Sequence, residues 1–311
     1  MTCRRSLIAL LSAMIALFGV PAIASAQTPG CTGTDPVPSG GPDVTAPTNT
    51  SATANPGWYT TPYTVELHGE DEIGGSGLAG LQWCLNNGVF SDALDGDDVT
   101  IATSGVWTLN TRAVDNEGNV SAWRPEYVRV DIAKPVDMTD AGGTGWHNAP
   151  HNVIVLASDM DSGVKQVHWQ LDGGLAQSGP NGTSVQIAAD GTHTLTTWAE
   201  DNAGNLSTPT DRTVRVDTVT PTDTTAAPGG WQTAPLPVAI TGADGHSGIF
   251  QVVYSVDGGS PVTTTSGSVV TVSGDGDHVL STMVRDAAGN ESGGALVRII
   301  WPRSSFELAK K

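Results

Sequence analysis

Short segments in which every second residue is apolar recur along the chain, separated by turns rich in Asp, Asn and Gly. The clearest segment places Leu195, Thr197 and Ala199 on one face and runs into the turn Asp201-Asn202-Ala203-Gly204-Asn205. A period of two is typical of a β-strand with one buried face. Asp and Asn side chains bond their own backbone in tight turns, and Gly tolerates the positive φ that such turns require. The pattern therefore predicts a strand that ends in a tight turn.

The same strand and turn occur three times in the sequence. The leading residue of the turn stands at Asp115, Asp201 and Asp286, which gives a period of 85–86 residues. Other alternating segments recur in register with it, one of them closed by an Asn-Asn-Gly or Asp-Gly-Gly hairpin turn. A period of this length, with several strands inside it, predicts repeated domains rather than a solenoid. With about seven short strands per repeat and no helical periodicity, the sequence predicts an all-β fold of three tandem β-sandwich domains.

The start of the chain differs in kind from the repeats. Arg4 and Arg5 precede an apolar run over residues 7–20, and Ala24-Ser25-Ala26 supplies small residues at a cleavage position. This pattern predicts a secretory signal peptide cleaved after Ala26, and so a secreted or cell-surface protein without membrane insertion of the mature chain. The expected segments are a signal peptide (1–26), a leader or linker (27–42), repeats at 43–131, 132–217 and 218–302, and a C-terminal tail (303–311).

The charge balance narrows the class of partner. The chain carries 14 Lys and Arg against 32 Asp and Glu, a formal net charge of −18. Such a surface repels phosphate backbones and anionic lipids, so we expect no nucleic-acid binding, whereas it favours cations. The partner classes that remain are a protein or a cell-surface glycan.

The second repeat carries the most specific motifs, which are Ser162-Gly163-Val164, Trp169-Gln170-Leu171-Asp172-Gly173-Gly174, Asp190-Gly191-Thr192-His193-Thr194-Leu195 and Asp201 to Asn205. In this order they resemble the bacterial immunoglobulin-like (Big-type) repeats of secreted and surface proteins, over roughly residues 43–302. The first repeat departs from the pattern, with Asn86-Asn87-Gly88 at the hairpin and two extra residues between Asp71 and Ser76. The resemblance implies three immunoglobulin-like sandwiches, and such sandwiches serve many functions.

In such a sandwich, the loop after the second strand, the loop after the long strand and the entering chain lie at one end of the domain. Several carboxylate and amide oxygens are thereby expected to meet at each domain junction, which is what Ca²⁺ requires. Turn capping and solvation of loop tips would explain the same residues. The candidate ligands are Asp43, Asp71, Glu72, Asp115 and Asn119; Asp131, Asp159, Asp161, Asp201 and Asn205; and Asp217, Asp244, Asp286 and Asn290. No other cofactor is expected.

Two cysteines remain after cleavage, Cys31 and Cys84. In an exported chain they could form a disulfide, and they could equally remain two free thiols, because sequence does not fix their geometry. Cys84 lies between the inward-facing Trp83 and Leu85, so its side chain is expected to point away from the core, where a partner can reach it.

Histidines and tryptophans supply the remaining candidates. His193 and His278 follow a turn at the start of the long strand, where a corner residue bonds back to the backbone in immunoglobulin-like folds. His147 and His151 are four residues apart, but Pro150 excludes the helix that a zinc motif of this spacing needs. Trp198 is out of phase with the core face, which makes it a candidate carbohydrate platform, although packing or an inter-domain contact would explain a lone outward Trp equally.

These observations favour a non-catalytic protein. An enzyme concentrates unusual residues in one place, whereas this chain distributes the same residues three times. We therefore expect a spacer, adhesion or interaction protein whose domain junctions calcium would stiffen. The alternative is a carbohydrate-binding accessory module of an extracellular glycan-processing system.

Overall fold

The computed structural model describes residues 30–301, so the predicted signal peptide and C-terminal tail lie outside the described residues. Within this range every regular element is a strand, which confirms the predicted all-β fold. No helix in the described range is long and apolar enough to cross a membrane. The described chain forms two compact units, one made of residues 30–56, 62–102 and 106–129, and the other of residues 57–61, 103–105 and 130–301.

The strands follow the period of the sequence. Those of the first repeat are β1 (Thr48–Asn49), β2 (Trp58–Tyr59), β3 (Tyr63–Glu66), β4 (Gly69–Glu70), β5 (Leu78–Leu85), β6 (Ser91–Ala93), β7 (Asp98–Ile101), β8 (Gly105–Asp115) and β9 (Arg124–Val130). Those of the second are β10 (Val136–Asp137), β11 (Trp146–His147), β12 (His151–Val155), β13 (Ala157–Ser158), β14 (Val164–Leu171), β15 (Gln177–Gly179), β16 (Thr183–Ile187), β17 (Gly191–Asp201) and β18 (Thr210–Val216). Those of the third are β19 (Thr222–Asp223), β20 (Leu236–Ile240), β21 (Gly242–Ala243), β22 (Ile249–Val256), β23 (Val262–Thr264), β24 (Ser268–Val272), β25 (Asp277–Asp286) and β26 (Ala295–Ile300).

The strand pairing of the second repeat shows the arrangement most fully. Its larger sheet has the order β11-β18-β17-β14-β15, and the pairs β12-β16 and β10-β13 form the opposite layer. The chain enters along one layer, where β10 is antiparallel to β13, and then crosses to the other, where β11 is parallel to β18. This crossing divides the opening segment into two short strands. The second alternating segment is divided as well, into β12 and β13, so the repeat has nine strands where the sequence indicated about seven.

The other repeats use the same order. The larger sheet of the first is β2-β9-β8-β5-β6, and that of the third is β23-β22-β25-β26. In the third repeat a single parallel bridge, from Trp231 to Ile300, stands where β2 and β11 occur in the others.

The core of the second repeat lies between its two layers and follows the predicted alternation. On β17, Leu195, Thr197, Ala199 and Asp201 are fully buried, and Val153, Val167 and Val214 from both layers belong to the same core. The hairpin between β14 and β15 turns at Asp172 (φ 49°) and Gly173 (φ 68°), the left-handed pair of a type I′ turn. Alternation and turn chemistry together therefore fix which face of the strand is buried.

The corner histidine of the second repeat bonds as expected. His193 Nε2 lies 2.9 Å from the carbonyl oxygen of Ala189, and Nδ1 lies 2.7 Å from Oδ2 of Asp172. In the third repeat, Nδ1 of His278 makes the equivalent contact with Asp257, also at 2.7 Å. The rings of His147 and His151 stack with centroids 3.7 Å apart.

A polar contact between the layers was not predicted. Thr197 on β17 donates a hydrogen bond to Oδ2 of Asp137 on β10 at 2.5 Å. Thr282 and Asp223 repeat this contact in the third repeat, and Asn49 donates to Thr111 in the first. Each contact joins the opening strand to the long strand across the core.

Residues 31–39 lie across the outer face of the larger sheet of the first repeat, and we call them the strap. A disulfide joins Cys31 to Cys84 on β5, with Cα atoms 5.7 Å apart. The strap covers the β8 residues that would otherwise face solvent, so Leu109 to Asp115 are all buried, whereas outward-facing residues of β17 are partly exposed. Composition alone predicted a leader or linker here.

Candidate metal centre

Three carboxylates meet at one end of the second repeat. The side chains of Asp131, Asp159 and Asp201 each offer an oxygen atom, and these oxygen atoms lie within 4.8 Å of one another. The equivalent groups are Asp43, Asp71 and Asp115 in the first repeat, and Asp217, Asp244 and Asp286 in the third. We call these sets the acidic clusters.

Each carboxylate comes from a different part of the fold. Asp131 directly follows β9, Asp159 directly follows β13, and Asp201 is the last residue of β17. Asp131 and Asp201 are fully buried, and Asp159 is partly buried. Each cluster thus joins the segment that enters a repeat to two of that repeat's own loops.

Backbone N–H groups hold these carboxylates in place. Oδ1 of Asp201 accepts hydrogen bonds from the N–H groups of Gly204 (2.7 Å) and Asn205 (2.8 Å). Oδ2 of Asp131 accepts from Ser162 at 3.0 Å, and Oδ1 of Asp159 accepts from Gly163 at 2.7 Å. These are the turn-capping contacts that Asp commonly makes. They also fix the positions of three negative charges, so turn capping and cation binding are compatible in this geometry.

The asparagine of each turn acts as a donor. The Nδ2 group of Asn205 donates to the carbonyl oxygen of Asp131 (2.9 Å) and to Oδ2 of Asp201 (2.8 Å). Asn119 and Asn290 make the same pair of contacts in the other repeats. In this orientation the amide positions the two buried aspartates and presents its nitrogen to the cluster.

The clustered charges affect the titration of Asp159. Burial raises the pKa of Asp159 above its ordinary value, against the lowering effect of the Gly163 N–H. The neighbouring charges of Asp131 and Asp201 raise this pKa further. A cation in the cluster would offset both the cost of burying the Asp159 charge and its repulsion from Asp131 and Asp201. Asp161, the other candidate in this loop, is exposed and lies outside the cluster of three.

The first cluster carries an additional acid because its loop is two residues longer. The side chains of Asp43, Asp71 and Glu72 surround Gly75 closely. A Cβ atom at Gly75 would lie only 2.7 Å from Oδ2 of Asp71. The N–H of Glu72 lowers its side-chain pKa, but desolvation, the hydrogen bond with Asp71 and the charge of Asp43 together raise it. The N–H groups of Thr45 and Ser76 lower the pKa of Asp43.

The donor set suits a hard cation. The clusters offer only oxygen atoms, which Ca²⁺ and Mg²⁺ prefer, and contain neither the thiolate nor the imidazole ligands typical of zinc. Oδ1 of Asp71 and Oδ1 of Asp244 are buried and accept no hydrogen bond from the described residues. Ca²⁺ takes six to eight oxygens, so three carboxylates would supply part of its shell and water the rest.

No protein-family model matches the sequence, and no curated protein matches it. Among solved structures, the chain is similar to fibronectin(III)-like modules of Clostridium thermocellum CbhA, at 18% identity over 55% of this chain and 93% of that one, with a TM-score of 0.30. It is also similar to three N-terminal domains of the bacteriophage RB49 highly immunogenic outer capsid protein (7% identity, 84% and 99% coverage, TM-score 0.38). The chicken CNTN1 FN1–FN3 domains match at 12% identity over 83% of this chain and 98% of that one, with a TM-score of 0.28.

The strand pairing is that of an immunoglobulin-like sandwich. With TM-scores below 0.5, these similarities assign neither a fold nor a function to this chain. The parallel pairing of the entering strand with the last strand, and the two facing layers, place the chain among tandem β-sandwich proteins on its own geometry.

The carbohydrate candidate, Trp198, lies on the outer face of the larger sheet of the second repeat. Its ring stacks on His168 of β14, with centroids 5.2 Å apart and planes 3° from parallel. Glu200 on the same face accepts from Lys165 (2.7 Å) and Gln166 (2.6 Å). Trp198 is therefore partly covered by its own sheet, and one face of its ring is occupied by His168.

Proposed function

We propose that this chain is a non-catalytic, secreted or cell-surface protein of the bacterial immunoglobulin-like type, built as a spacer or interaction array. We further propose that Ca²⁺ binds the three acidic clusters and stiffens the connections between domains. The observation that carries the calcium proposal is the same three-carboxylate cluster at all three repeats. The partner that we propose is a protein or a cell-surface glycan.

The physical argument rests on where the first carboxylate of each cluster originates. Asp131 belongs to the segment that leaves β9, whereas Asp159 and Asp201 belong to the repeat that follows. A cation held by all three would tie the linker to the next domain and offset the repulsion among the carboxylates. Bound cation would in this way restrict the movement of the linker relative to the domain that follows it.

Calorimetric titration of residues 27–311 with Ca²⁺, together with thermal melts with and without a chelator, tests the proposal. We expect two or three ions to bind and the melting temperature to rise with Ca²⁺ concentration, because a ligand that binds only the folded state stabilises it. The matched control is Asp211→Asn, an exposed aspartate outside the clusters. Absence of heat with superimposable melts would refute calcium binding and leave the clusters as turn caps.

A further inference from the structure

The strap covers residues whose counterparts in the other repeats are of different types. Beneath it, Gln82 pairs with Arg112 across β5 and β8. The equivalent pairs are His168 with Trp198 in the second repeat, and Val253 with Met283 in the third. The first repeat thus has an outer face of its own, and the strap lies on it.

The Arg112 side chain is the centre of this face and is only 3% exposed. Nε donates to Gln82 at 2.8 Å, and Nη2 donates to Oδ1 of Asp35 in the strap at 2.7 Å. The guanidinium also lies 4.3 Å from the ring centroid of Trp123. A buried guanidinium needs such partners, and Asp35 is the one that the strap supplies.

The hydrogen bonds and ion pairs of the strap are few for its length. Thr32 donates to Gly88 and accepts from Phe90, Ser39 donates to Glu117, and Asp35 pairs with Arg112. Seven of the nine strap residues are exposed, among them Val37 at 85%. Ordering the backbone of a residue costs more free energy than an exposed hydrogen bond returns. Three backbone hydrogen bonds and one ion pair do not by themselves offset the ordering of nine residues, so the strap depends on its packing and on the covalent bond.

We propose that the Cys31–Cys84 disulfide is a redox-sensitive lock on the strap. A dithiol reductant supplies two electrons and two protons, the S–S bond becomes two thiols, and the dithiol becomes a disulfide. The freed strap leaves the sheet and uncovers Arg112. A cavity of 550 Å³, lined by Thr34 and Pro36 of the strap together with Phe90 and Gln82, loses one wall. This cavity is thus a property of the oxidised protein.

Amide hydrogen exchange followed by mass spectrometry on the full chain tests this proposal, in the oxidised protein, after reduction with dithiothreitol, and in the Cys31→Ser variant. We expect the segment 31–39 to exchange on the order of 100-fold faster once the disulfide is absent. Segments within β3 and β8 are expected to keep their protection, because their backbone hydrogen bonds run to neighbouring strands and not to the strap.

The Asp35→Asn variant separates the disulfide from the ion pair. With the disulfide intact, we expect this variant to keep the protection of residues 31–39. The lock would be disproved by a strap that stays protected after reduction, or by one that is released by Asp35→Asn alone. Loss of protection in β8 together with the strap would also disprove it, since the disulfide would then stabilise the whole repeat rather than the strap.

Discussion

At the scale of single residues, His193 shows how a corner residue becomes sensitive to pH. The pKa of His193 is raised, chiefly by its hydrogen bond with Asp172. Burial lowers this pKa, and the hydrogen bond with the Ala189 carbonyl raises it. Burial raises the pKa of Asp172, but the hydrogen bonds from His193 and from the Thr194 N–H outweigh it, and the net shift is downward. Both ring nitrogens of His193 face acceptors, so the protonated ring is the form that the fold favours.

We therefore predict a pH-dependent cost for His193→Gln. The raised pKa of His193 gives stability that is complete below its ordinary value of 6.5 and is lost as pH rises through the raised value. The lowered pKa of Asp172 gives stability that is lost only when pH falls below its ordinary value of 3.8. The substitution is expected to cost about 1 kcal/mol near pH 5.5 and less at pH 8.5.

Thermal melts at the two pH values measure the effect of His193→Gln. The exposed His246 provides the control, since His246→Gln should leave the melting temperature nearly unchanged at both. An equal cost for His193→Gln at both pH values would contradict the assignment of a protonated ring.

At the scale of elements, the strands were predictable and some of the contacts between them were not. Alternation at Leu195, Thr197 and Ala199 indicated β17 and its buried face, and Asp-Gly-Gly indicated the hairpin that closes β14. The inter-layer bond between Asp137 and Thr197 could not be predicted, because it joins residues 60 apart whose types are common on strand surfaces. The strap was missed because its position depends on a disulfide and on Arg112, 77 residues beyond Asp35.

The bond between β10 and β17 yields the second prediction. Asp137 is 7% exposed and accepts hydrogen bonds from Thr197 and from Arg212, the latter at 3.1 Å. Asp137→Ala leaves both donors without this acceptor and is expected to cost about 3 kcal/mol. Asp137→Asn is expected to cost about 1 kcal/mol, because Asn49 makes the equivalent contact with Thr111 in the first repeat.

Chemical denaturation of the two Asp137 variants, followed by circular dichroism, supplies the measurement. The order of the two costs is the decisive result. If the asparagine variant proved as unstable as the alanine variant, the charge rather than the hydrogen bond would be what joins the two strands.

At the scale of the whole molecule, the acidic clusters could be anticipated because an 85–86-residue period places each Asp at the same end of a sandwich. The sequence did not show which of the candidate residues meet in each cluster. Asp161 is exposed, whereas Asp159, two residues earlier, lies in the cluster. Loop length and turn geometry decide between them, and neither is visible in the alternation.

The third prediction concerns Asp159→Asn, which should act in opposite directions with and without calcium. The raised pKa of Asp159 means that its ionised form opposes folding, a cost that appears as pH rises above the ordinary value of 3.8. Without Ca²⁺ at neutral pH, the variant is therefore expected to be more stable by about 0.5 kcal/mol, because asparagine can still accept from the Gly163 N–H. With Ca²⁺, it is expected to lose the gain in melting temperature that comes from this cluster.

Calorimetric melts of wild type and Asp159→Asn, each with Ca²⁺ and with chelator, check both signs. A variant that is destabilised without calcium would show that Asp159 is needed as a turn cap. A variant that retains the full response to calcium would place the cation elsewhere.

The parallel pairing of β11 with β18 has a mechanical consequence. The first strand of this layer and the last strand of the same repeat lie side by side and point the same way, and the N–H of Asp217 bonds the carbonyl of His147 at 2.8 Å. The N–H of Asp131 bonds Tyr59 at the same distance, and Gln232 bonds Ile300 likewise. A pull on the two ends of such a repeat slides one strand along the other. It loads these bonds together in shear instead of opening them one by one, which is how a chain under tension resists extension.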